Sequence, residues 1–213
     1  MSQIKAVLLD ALGSDLNVVN AARVSFAKVS EWEWGERCKL KEKDIKLIKY
    51  LAEHGHYSPF GHCFASFHVK APIFVARQLV KHEYLRFNEV SRRYVTSDPE
   101  FYDTPEWRGK PKDKKQGSEG TVDYKADSIY RAYALQEYRI RLNKGIAPEQ
   151  ARGCLPLETM TEWWWSGSLD AFANMCNLRL KEDTQYESRL VAQQVSEQMK
   201  TLYPYSWEAL VGT

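Results

Sequence analysis

Apolar residues recur at helical spacing in the N-terminal part of the chain. With Ser14 or Asp15 as the N-cap, since both residue types favour that position, this spacing predicts a helix that runs to Phe26. The same spacing over 41–54 predicts a second helix, which Gly55 is suited to end because glycine tolerates a positive φ. We therefore expect two early helices, followed by a histidine-containing loop.

The segment from His62 to Ala71 changes to strict alternation of apolar and polar positions, which predicts a β-strand. Pro72 suits the first turn of a helix, since its missing N–H costs nothing there. No breaker follows it before Leu85, so a helix is predicted through that residue. Gln78 would then share one helical face with Lys81 and with His82, three and four residues further on.

The second half of the chain combines a polar segment with further helices. Residues 98–120 are rich in Pro, Gly and charge and are predicted to form a solvated loop. The other predicted elements are a helix over Asp123–Lys144, a short helix from Pro148 toward Gly153, a strand or buried bridge over 159–168, a helix capped by Ser168 and a last helix over Asp183–Leu202. The pattern predicts an α+β protein with a small mixed sheet and several helices, in a single domain over 1–213.

Composition narrows the class of protein. Apolar residues make up 44% and charged residues 27%, as in ordinary globular proteins, and the net charge of +2 gives no global field for nucleic acid. No apolar run is long enough to cross a membrane and no secretory signal pattern is present, so we expect a cytoplasmic protein. The GxGxxG and GxxxxGK[ST] patterns are absent, which argues against a Rossmann or P-loop site.

Neither the cysteines nor the histidines form a recognised metal motif. Cys38, Cys63, Cys154 and Cys176 are widely spaced, and buried thiols are the simplest interpretation, with a nucleophilic role for one of them left open. The histidines near the predicted strand could contact a ligand, be satisfied within loops, or hold a metal, although their spacing matches no zinc motif. These histidines are His54, His56, His62 and His82. No metal is expected.

The densest polar cluster is the segment 78–94. Arg92 and Arg93 beside Ser91 offer the forked donors and the hydroxyl that a phosphate monoester needs, and Lys81 adds a point charge. A helix end with a surface ion-pair network would give a similar pattern. Side chains able to pair with the edge of a planar base are Gln78, Asn88 and Glu89. A C-terminal set could help to surround a polyanion: Arg152, Asn177, Arg179 and Arg189.

The stretch KHEYLRFNEVSRRY at Lys81–Tyr94 resembles the signature R-H-R-x-x-S-x-N-x-x-S-x-R-Y of flavin-dependent thymidylate synthases. Six positions match it without a gap: Lys81 by charge, and His82, Asn88, Ser91, Arg93 and Tyr94 by identity. Further matching blocks cover nearly the whole chain: NAARVSF at Asn20–Phe26, HGHYSPF at His54–Phe60, FHVKAPIFVARQ at Phe67–Gln78, ARGCLPL at Ala151–Leu157 and NLR at Asn177–Arg179.

The resemblance implies a fold, an activity and an assembly. It implies a homotetramer with shared active sites, in which FAD lies across subunit interfaces instead of in a Rossmann domain. The implied reaction makes dTMP from dUMP, with methylenetetrahydrofolate supplying the carbon and NADPH reducing the flavin. No cysteine nucleophile is needed, in keeping with the scattered thiols.

Site residues follow from the resemblance by position. Catalytic roles are implied for Arg189 and Ser91, with Arg189 against the pyrimidine, where it would stabilise developing negative charge. The implied substrate-binding set is Gln78, Lys81, Glu89, Ser91, Arg92, Arg93, Arg152 and Arg189. The implied cofactor-binding set is Ser25, His56, Ser58, His82, Glu83, Asn88, Asn177 and Arg179.

Departures from the family pattern leave the substrate open. Lys81 loses the bidentate fork of an arginine, Glu83 reverses a charge, and Arg86 replaces a serine, from where it could pair with Glu83 on a helix. Gly61 stands where an acidic residue is usual. A relative that acts on dCMP or releases a hydroxymethyl product is therefore an alternative, as is, in another class, a nucleic-acid-binding protein using Lys110–Lys115.

Overall fold

The computed structural model describes residues 3–34, 39–126 and 128–212. Six strands are present in these ranges: β1 (Lys5–Leu12), β2 (Phe64–Pro72), β3 (Leu85–Glu89), β4 (Arg108–Gly109), β5 (Glu119–Thr121) and β6 (Met160–Ser168). The helices of the same ranges are α1 (Asp15–Arg23), α2 (Glu42–Glu53), α3 (Ile73–Leu79), α4 (Ile129–Asn143), α5 (Pro148–Ala151), α6 (Leu169–Arg179), α7 (Tyr186–Leu202) and α8 (Pro204–Val211). Short 3₁₀ turns cover Val24–Phe26, Phe60–His62 and Arg152–Cys154.

The main sheet has the strand order β1-β2-β6-β3 and is antiparallel throughout. Strand β6 therefore lies between β2 and β3, although it begins 71 residues after the end of β3 and 88 residues after the end of β2. Its register places Trp165 opposite Phe67 on one side and opposite Phe87 on the other. The α+β class is confirmed, and the sheet is antiparallel instead of mixed.

One face of the sheet carries the core. Ala65, Phe67 and Val69 of β2 are buried, as are Trp163 and Trp165 of β6. Side chains of a strand alternate between faces, so this pattern places one face of each strand against the helices. Helix α6 contributes Phe172, whose ring centroid lies 5.1 Å from that of Phe67 and 5.4 Å from that of Trp165.

Helix α7 fixes the edge of the sheet as well as its face. The side-chain carbonyls of Gln194 and Gln198 accept hydrogen bonds from the backbone N–H groups of Ala6 (2.9 Å) and Leu8 (2.7 Å) on β1. These bonds occupy donors that an edge strand otherwise leaves exposed. Across the described ranges, no helix has the length and apolar content that crossing a membrane requires.

Most predicted elements are confirmed. The two early helices, the strand of β2, the short helix that begins at Pro148 and the helix with Ser168 at its N-cap position lie where expected, and residues 160–168 form a full strand. The long helix begins at Ile129, later than predicted, and ends before Gly145, which has φ +78°. Strand β1 was not predicted, and α8 follows α7, so the expectation that the helix ending at Leu202 is the last one is wrong.

The prediction of one helix through Leu85 is wrong. Helix α3 ends at Leu79, Tyr84 adopts φ +62°, and the chain returns as β3. The cause is tertiary: Phe87 stacks on the Trp163 ring at 5.1 Å, which favours a strand beside β6 over continued helix. His82 is therefore not on the helix of Gln78, and Glu83 and Arg86 are not neighbours on a helix.

The segment 98–120 is more structured than a solvated loop. It carries most of a small antiparallel hairpin, in which Arg108 pairs with Thr121. The Arg108 guanidinium donates to the buried Glu187 carboxylate at the start of α7 (2.6 Å). This ion pair packs the hairpin against the helical layer, and Lys110–Lys115 lies in its loop.

Candidate active site

The sheet edge at β3 is shaped by a glycine on the neighbouring strand. A Cβ added to Gly167 would lie 2.4 Å from Leu85 Cδ2 and 3.0 Å from the Tyr84 carbonyl oxygen. The turn between α3 and β3 can therefore close onto β6 only because this position has no side chain. Beyond β3, Ser91 begins a turn in which its carbonyl accepts from the N–H of Tyr94 (2.9 Å) and Val95 (3.0 Å).

A cavity of about 470 Å³ lies where the end of β3 meets the 3₁₀ turn Arg152–Cys154. Strand β6 contributes Met160 and Thr161 to its lining. The Thr161 hydroxyl donates a hydrogen bond to the Glu89 carboxylate (2.7 Å). The cavity is lined by Ile73, Glu89, Val90, Ser91, Arg92, Arg93, Arg152, Leu155, Met160 and Thr161. Five of the residues expected to bind substrate are thus brought together: Glu89, Ser91, Arg92, Arg93 and Arg152.

The cations of this cavity differ in how they are held. Arg92 donates to the Ser97 carbonyl (2.6 Å), and the Arg93 guanidinium lies 5.3 Å from the centroid of the Tyr94 ring. Within the described ranges, neither Arg93 nor Arg152 has a carboxylate partner. Two guanidinium groups without a counter-ion, beside the Ser91 hydroxyl, are the chemistry that binds a phosphate dianion.

Gln78 and Arg189 lie at the neighbouring junction of α3 and α7, outside the lining of the cavity. The Gln78 amide donates to the Gln185 side-chain oxygen, and its own oxygen accepts from the buried Ser188 hydroxyl (3.0 Å). Arg189 donates to the Glu182 carbonyl (3.0 Å). Both side chains are therefore held in defined orientations at the start of α7.

His82 and Arg179 form a second polar centre, between the α3–β3 turn and the end of α6. Nε2 of His82 accepts a hydrogen bond from Nε of Arg179 at 2.9 Å. Burial, and to a smaller extent the positive charge of Arg179, together lower the pKa of His82 to about 4. At neutral pH the imidazole is therefore uncharged, with its proton on Nδ1.

The remaining residues of the expected cofactor set are exposed. Asn88 projects from β3 on the outer face of the sheet, opposite Trp164, and Asn177 on α6 donates to the Leu210 carbonyl (2.9 Å). Others lie on surface turns: Ser25 in the 3₁₀ turn after α1, His56 and Ser58 after α2, and Glu83 before β3. Within the residues that the structure describes, this set does not line one cavity of the chain.

Lys81 is exposed on the α3–β3 turn, also outside the cavity lining. No group of three or more His, Cys, Asp or Glu side chains in the described ranges is arranged to hold a metal. Cys63 and Cys176 are buried, Cys154 is half-buried, and Cys38 lies outside the described residues. Burial raises the pKa of the Cys63 thiol to about 11, which keeps it protonated.

Several contributors were not foreseen from the sequence. Thr161 orients Glu89, while Gln185 and Ser188 orient Gln78. The signal for Thr161 was its alternation with Trp163 in what became a strand. The signal for Gln185 and Ser188 was their spacing: they are polar residues three positions apart, just before Arg189, and would share one face of a helix.

Known proteins resemble this chain over most of its length. A family model described as thymidylate synthase complementing protein matches residues 7–205. The flavin-dependent thymidylate synthase of Thermus thermophilus is 40% identical over 206 residues, which cover 95% of this chain and 73% of that protein. The flavin-dependent thymidylate synthase of Kosmotoga olearia is 37% identical over 214 residues, which cover 96% of this chain and 89% of that protein.

Solved structures resemble it as well. The UMP/dUMP methylase PolB from Streptomyces cacaoi, bound with 5-Br dUMP, superposes with a TM-score of 0.85 at 33% identity. That match covers 98% of this chain and 95% of the other. The same methylase bound with 5-Br UMP gives a TM-score of 0.81 at 32% identity, covering 98% and 94%.

Proposed function

The chain belongs to the flavin-dependent thymidylate synthase family, and from that membership we propose that it methylates C5 of dUMP to give dTMP. It is accordingly a flavin-dependent methyltransferase. The observation that carries the choice of substrate is the cavity in which Ser91, Arg93 and Arg152 meet beside the anchored Glu89 carboxylate. This cavity offers a phosphate site and a hydrogen-bond acceptor for a base or sugar within one volume.

The residues have separable roles in this proposal. Arg93, Arg152 and the Ser91 hydroxyl bind the phosphate, while Arg92 and Lys81 add positive charge nearby. Glu89 and Gln78 hydrogen-bond the nucleoside, since both are held by neighbouring side chains. Arg189 lies against the pyrimidine and stabilises negative charge that develops on the ring as C5 attacks.

Flavin fits the donor chemistry of the second set of residues. The uncharged His82 donates from Nδ1, Arg179 supplies a cation, and the hydroxyls of Ser25 and Ser58 supply further donors for phosphate oxygens. His56, Asn88, Asn177 and Glu83 complete this set, and the carboxylate of Glu83 is the member whose negative charge repels that of the FAD phosphates. Bound FAD supplies the redox chemistry, and methylenetetrahydrofolate and NADPH are the co-substrates that we propose for carbon and electrons.

The exposure of these flavin contacts supports self-association as a homotetramer. The outer face of the sheet carries Val7, Leu12, Phe64 and Trp164 on strands β1, β2 and β6, and each is exposed. An apolar sheet face of this kind is covered in most stable proteins. Sedimentation analysis should give a tetramer for the wild type, and Trp164→Asp should reduce the assembly size.

The direct test of the function uses flavin-loaded protein with dUMP, methylenetetrahydrofolate and NADPH. Mass analysis should find dTMP, and omission of any one component should abolish it. Flavin-loaded protein that leaves dUMP unchanged would contradict the proposal. Parallel reactions with dCMP test the alternative base, and a product heavier by one oxygen would reveal hydroxymethyl transfer instead of methyl transfer.

A second substrate is favoured by one observation. The two solved structures described above are of a methylase named for both UMP and dUMP, and one of them is bound with 5-Br UMP. We therefore propose UMP as a candidate second substrate, to be compared with dUMP at equal concentration. Formation of dTMP without 5-methyl-UMP would restrict the activity to the deoxynucleotide.

A further inference from the structure

The hairpin of β4 and β5 is tied to the beginning of α7 through Arg108. Its Nη2 atom donates to the Glu187 carboxylate (2.6 Å), and its Nε atom donates to the Ser118 hydroxyl on the far side of the hairpin (3.0 Å). The Glu187 residue is only 3% exposed. A carboxylate so buried needs its cationic partner, so this contact fixes the hairpin on the helix.

The same guanidinium also packs on an aromatic ring that carries a second arginine. Cζ of Arg108 lies 4.6 Å from the centroid of the Tyr186 ring, and Cζ of Arg189 lies 5.8 Å from that centroid. Both distances are within the range of cation–π attraction. Tyr186 is therefore a shared support, and the position of its ring depends on Arg108 and bears on Arg189.

The other support of Arg189 is bounded by the hairpin loop. Arg189 donates to the Glu182 carbonyl (3.0 Å), and the next residue, Asp183, accepts from the Gln116 amide (3.3 Å). Gly117 has φ +87°, and a Cβ there would lie 2.9 Å from the Asp183 carbonyl oxygen. The loop thus packs backbone against backbone beside the carbonyl that holds Arg189.

We propose that Arg108 is a positioning residue for Arg189, and that the 104–122 hairpin holds the nucleotide-binding end of α7 in its working geometry. This inference rests on the proposed function, in which Arg189 contacts the pyrimidine. Arg108 acts through the Tyr186 ring and the Glu187 carboxylate and does not itself touch the substrate. Displacement of Arg189 then lowers nucleotide affinity and turnover while leaving the flavin contacts unchanged.

Arg108→Lys separates positioning from simple bracing of the fold. Lysine keeps the positive charge that Glu187 needs but lacks the planar guanidinium that stacks on Tyr186. The matched control is Arg139→Lys, since Arg139 pairs with Asp98 in the same segment and anchors it to α4 away from Tyr186. Tyr186→Leu removes the shared support itself.

The measurement is the dissociation constant for dUMP in flavin-loaded protein, by calorimetric titration, with the FAD dissociation constant and the thermal midpoint measured beside it. We expect Arg108→Lys to weaken dUMP binding on the order of tenfold, because small misplacements of a binding group have effects of this size. Arg139→Lys should change it by less than about twofold. The double variant Arg108→Lys/Tyr186→Leu should bind dUMP no more weakly than Tyr186→Leu alone, because both residues act on Arg189 through the same ring.

Two outcomes overturn the inference: unchanged dUMP affinity in Arg108→Lys, or an equal loss of dUMP and FAD affinity together with a lowered thermal midpoint. A crystal structure of Arg108→Lys decides the matter independently of the reaction. Displacement of the Arg189 guanidinium from the Tyr186 ring supports positioning, and an unmoved guanidinium contradicts it. If the wild type binds no pyrimidine nucleotide, the proposed function fails, and this structural comparison still tests the positioning.

Discussion

The two halves of the segment Lys81–Tyr94 differ in how firmly their side chains are held. In the second half, the Glu89 carboxylate accepts a hydrogen bond from Thr161, and the Arg92 guanidinium donates one to the Ser97 carbonyl. Glu89 and Arg92 both line the cavity. In the first half, Lys81, Glu83 and Arg86 are exposed and have no ion-pair partner in the part of the chain that the structure describes. Among the polar side chains described in this half, His82 is the one held by a side-chain hydrogen bond, to Arg179.

This difference separates two kinds of binding residue. Side chains held in place before a ligand arrives lose little entropy on binding, so they can impose geometry on the nucleotide. Free charged side chains on a surface turn contribute mainly through long-range attraction or repulsion, which salt screens. The departures from the family signature at Lys81, Glu83 and Arg86 therefore fall in the half whose side chains are free.

Arg93→Ala should give the largest effect, because it removes one of the two guanidinium groups that line the cavity without a carboxylate partner in the described ranges. Loss of a hydrogen bond to a charged group costs roughly 1.5–3 kcal/mol, so dUMP affinity should fall by about ten- to a hundredfold. Calorimetric titration measures this, with Arg77→Ala, an exposed arginine of α3 without an ion pair in the described ranges, as the control. Comparable losses in the two variants would indicate that net charge matters and the cavity does not.

The one fixed residue of the first half should make folding stability depend on pH. The pKa of His82 is about 4 in the folded protein, against 6.5 ordinarily, so between these values the unfolded chain binds a proton that the folded chain does not. The free energy of unfolding should therefore fall as the pH is lowered from 6.5 to 4. The full pKa difference corresponds to about 3 kcal/mol, and the partial exposure of the imidazole reduces this to roughly 2 kcal/mol. Urea unfolding at several pH values measures it, and His82→Gln should lose this part of the dependence; an identical pH profile would contradict the assignment.

Glu83→Arg tests whether the free half acts through charge alone. A positive side chain in place of the carboxylate should tighten FAD binding by about threefold at low salt, a typical size for one exposed charge, and by less at high salt. Quenching of flavin fluorescence on titration measures this. Glu197→Arg, at an exposed position on α7, makes the same change of net charge elsewhere; an equal gain there would remove any local role for Glu83.

Arg86→Ser should have the smallest effect. Arg86 pairs in register with Ser166 on the outer sheet face, away from the cavity, so the ratio of products from dUMP and dCMP should change by less than about twofold. Side-by-side mass analysis of the two reactions measures it. A change in base preference would move substrate selection into the first half and reverse the comparison.

The sequence predicted what local pattern controls. Alternation gave β2 correctly, and Gly55 and Gly145 were correctly placed at helix ends with positive φ. The chemistry of Ser91, Arg92 and Arg93 also predicts that they lie together, and the structure places all three on one cavity, while their role in binding phosphate stays a prediction.

The sequence failed where distant residues decide. The sequence of residues 73–89 does not show that the chain after Leu79 will pack against Trp163 and Gly167 of β6. The local pattern therefore predicts a helix where the structure has a turn and a strand. The hairpin of 104–122 looked solvated because its buried partner, Glu187, lies about eighty residues away. Gln185 and Ser188 became recognisable only once α7 had been placed against α3.

The insertion of β6 between β2 and β3 has a consequence for how the protein is made. Among the described strands, β6 is the one that pairs with β3 in the sheet, so β3 stays without this partner until residue 168 has left the ribosome. Domains of this size are synthesised over roughly ten seconds or more, during which β2 and β3 expose unpaired edges. Pairings so distant along the chain also slow folding. The nucleotide cavity, which is built on β3 and β6, is therefore among the last features to form. Variants that slow the pairing of β6 should give more aggregated protein during folding, while the molecules that do fold keep their activity.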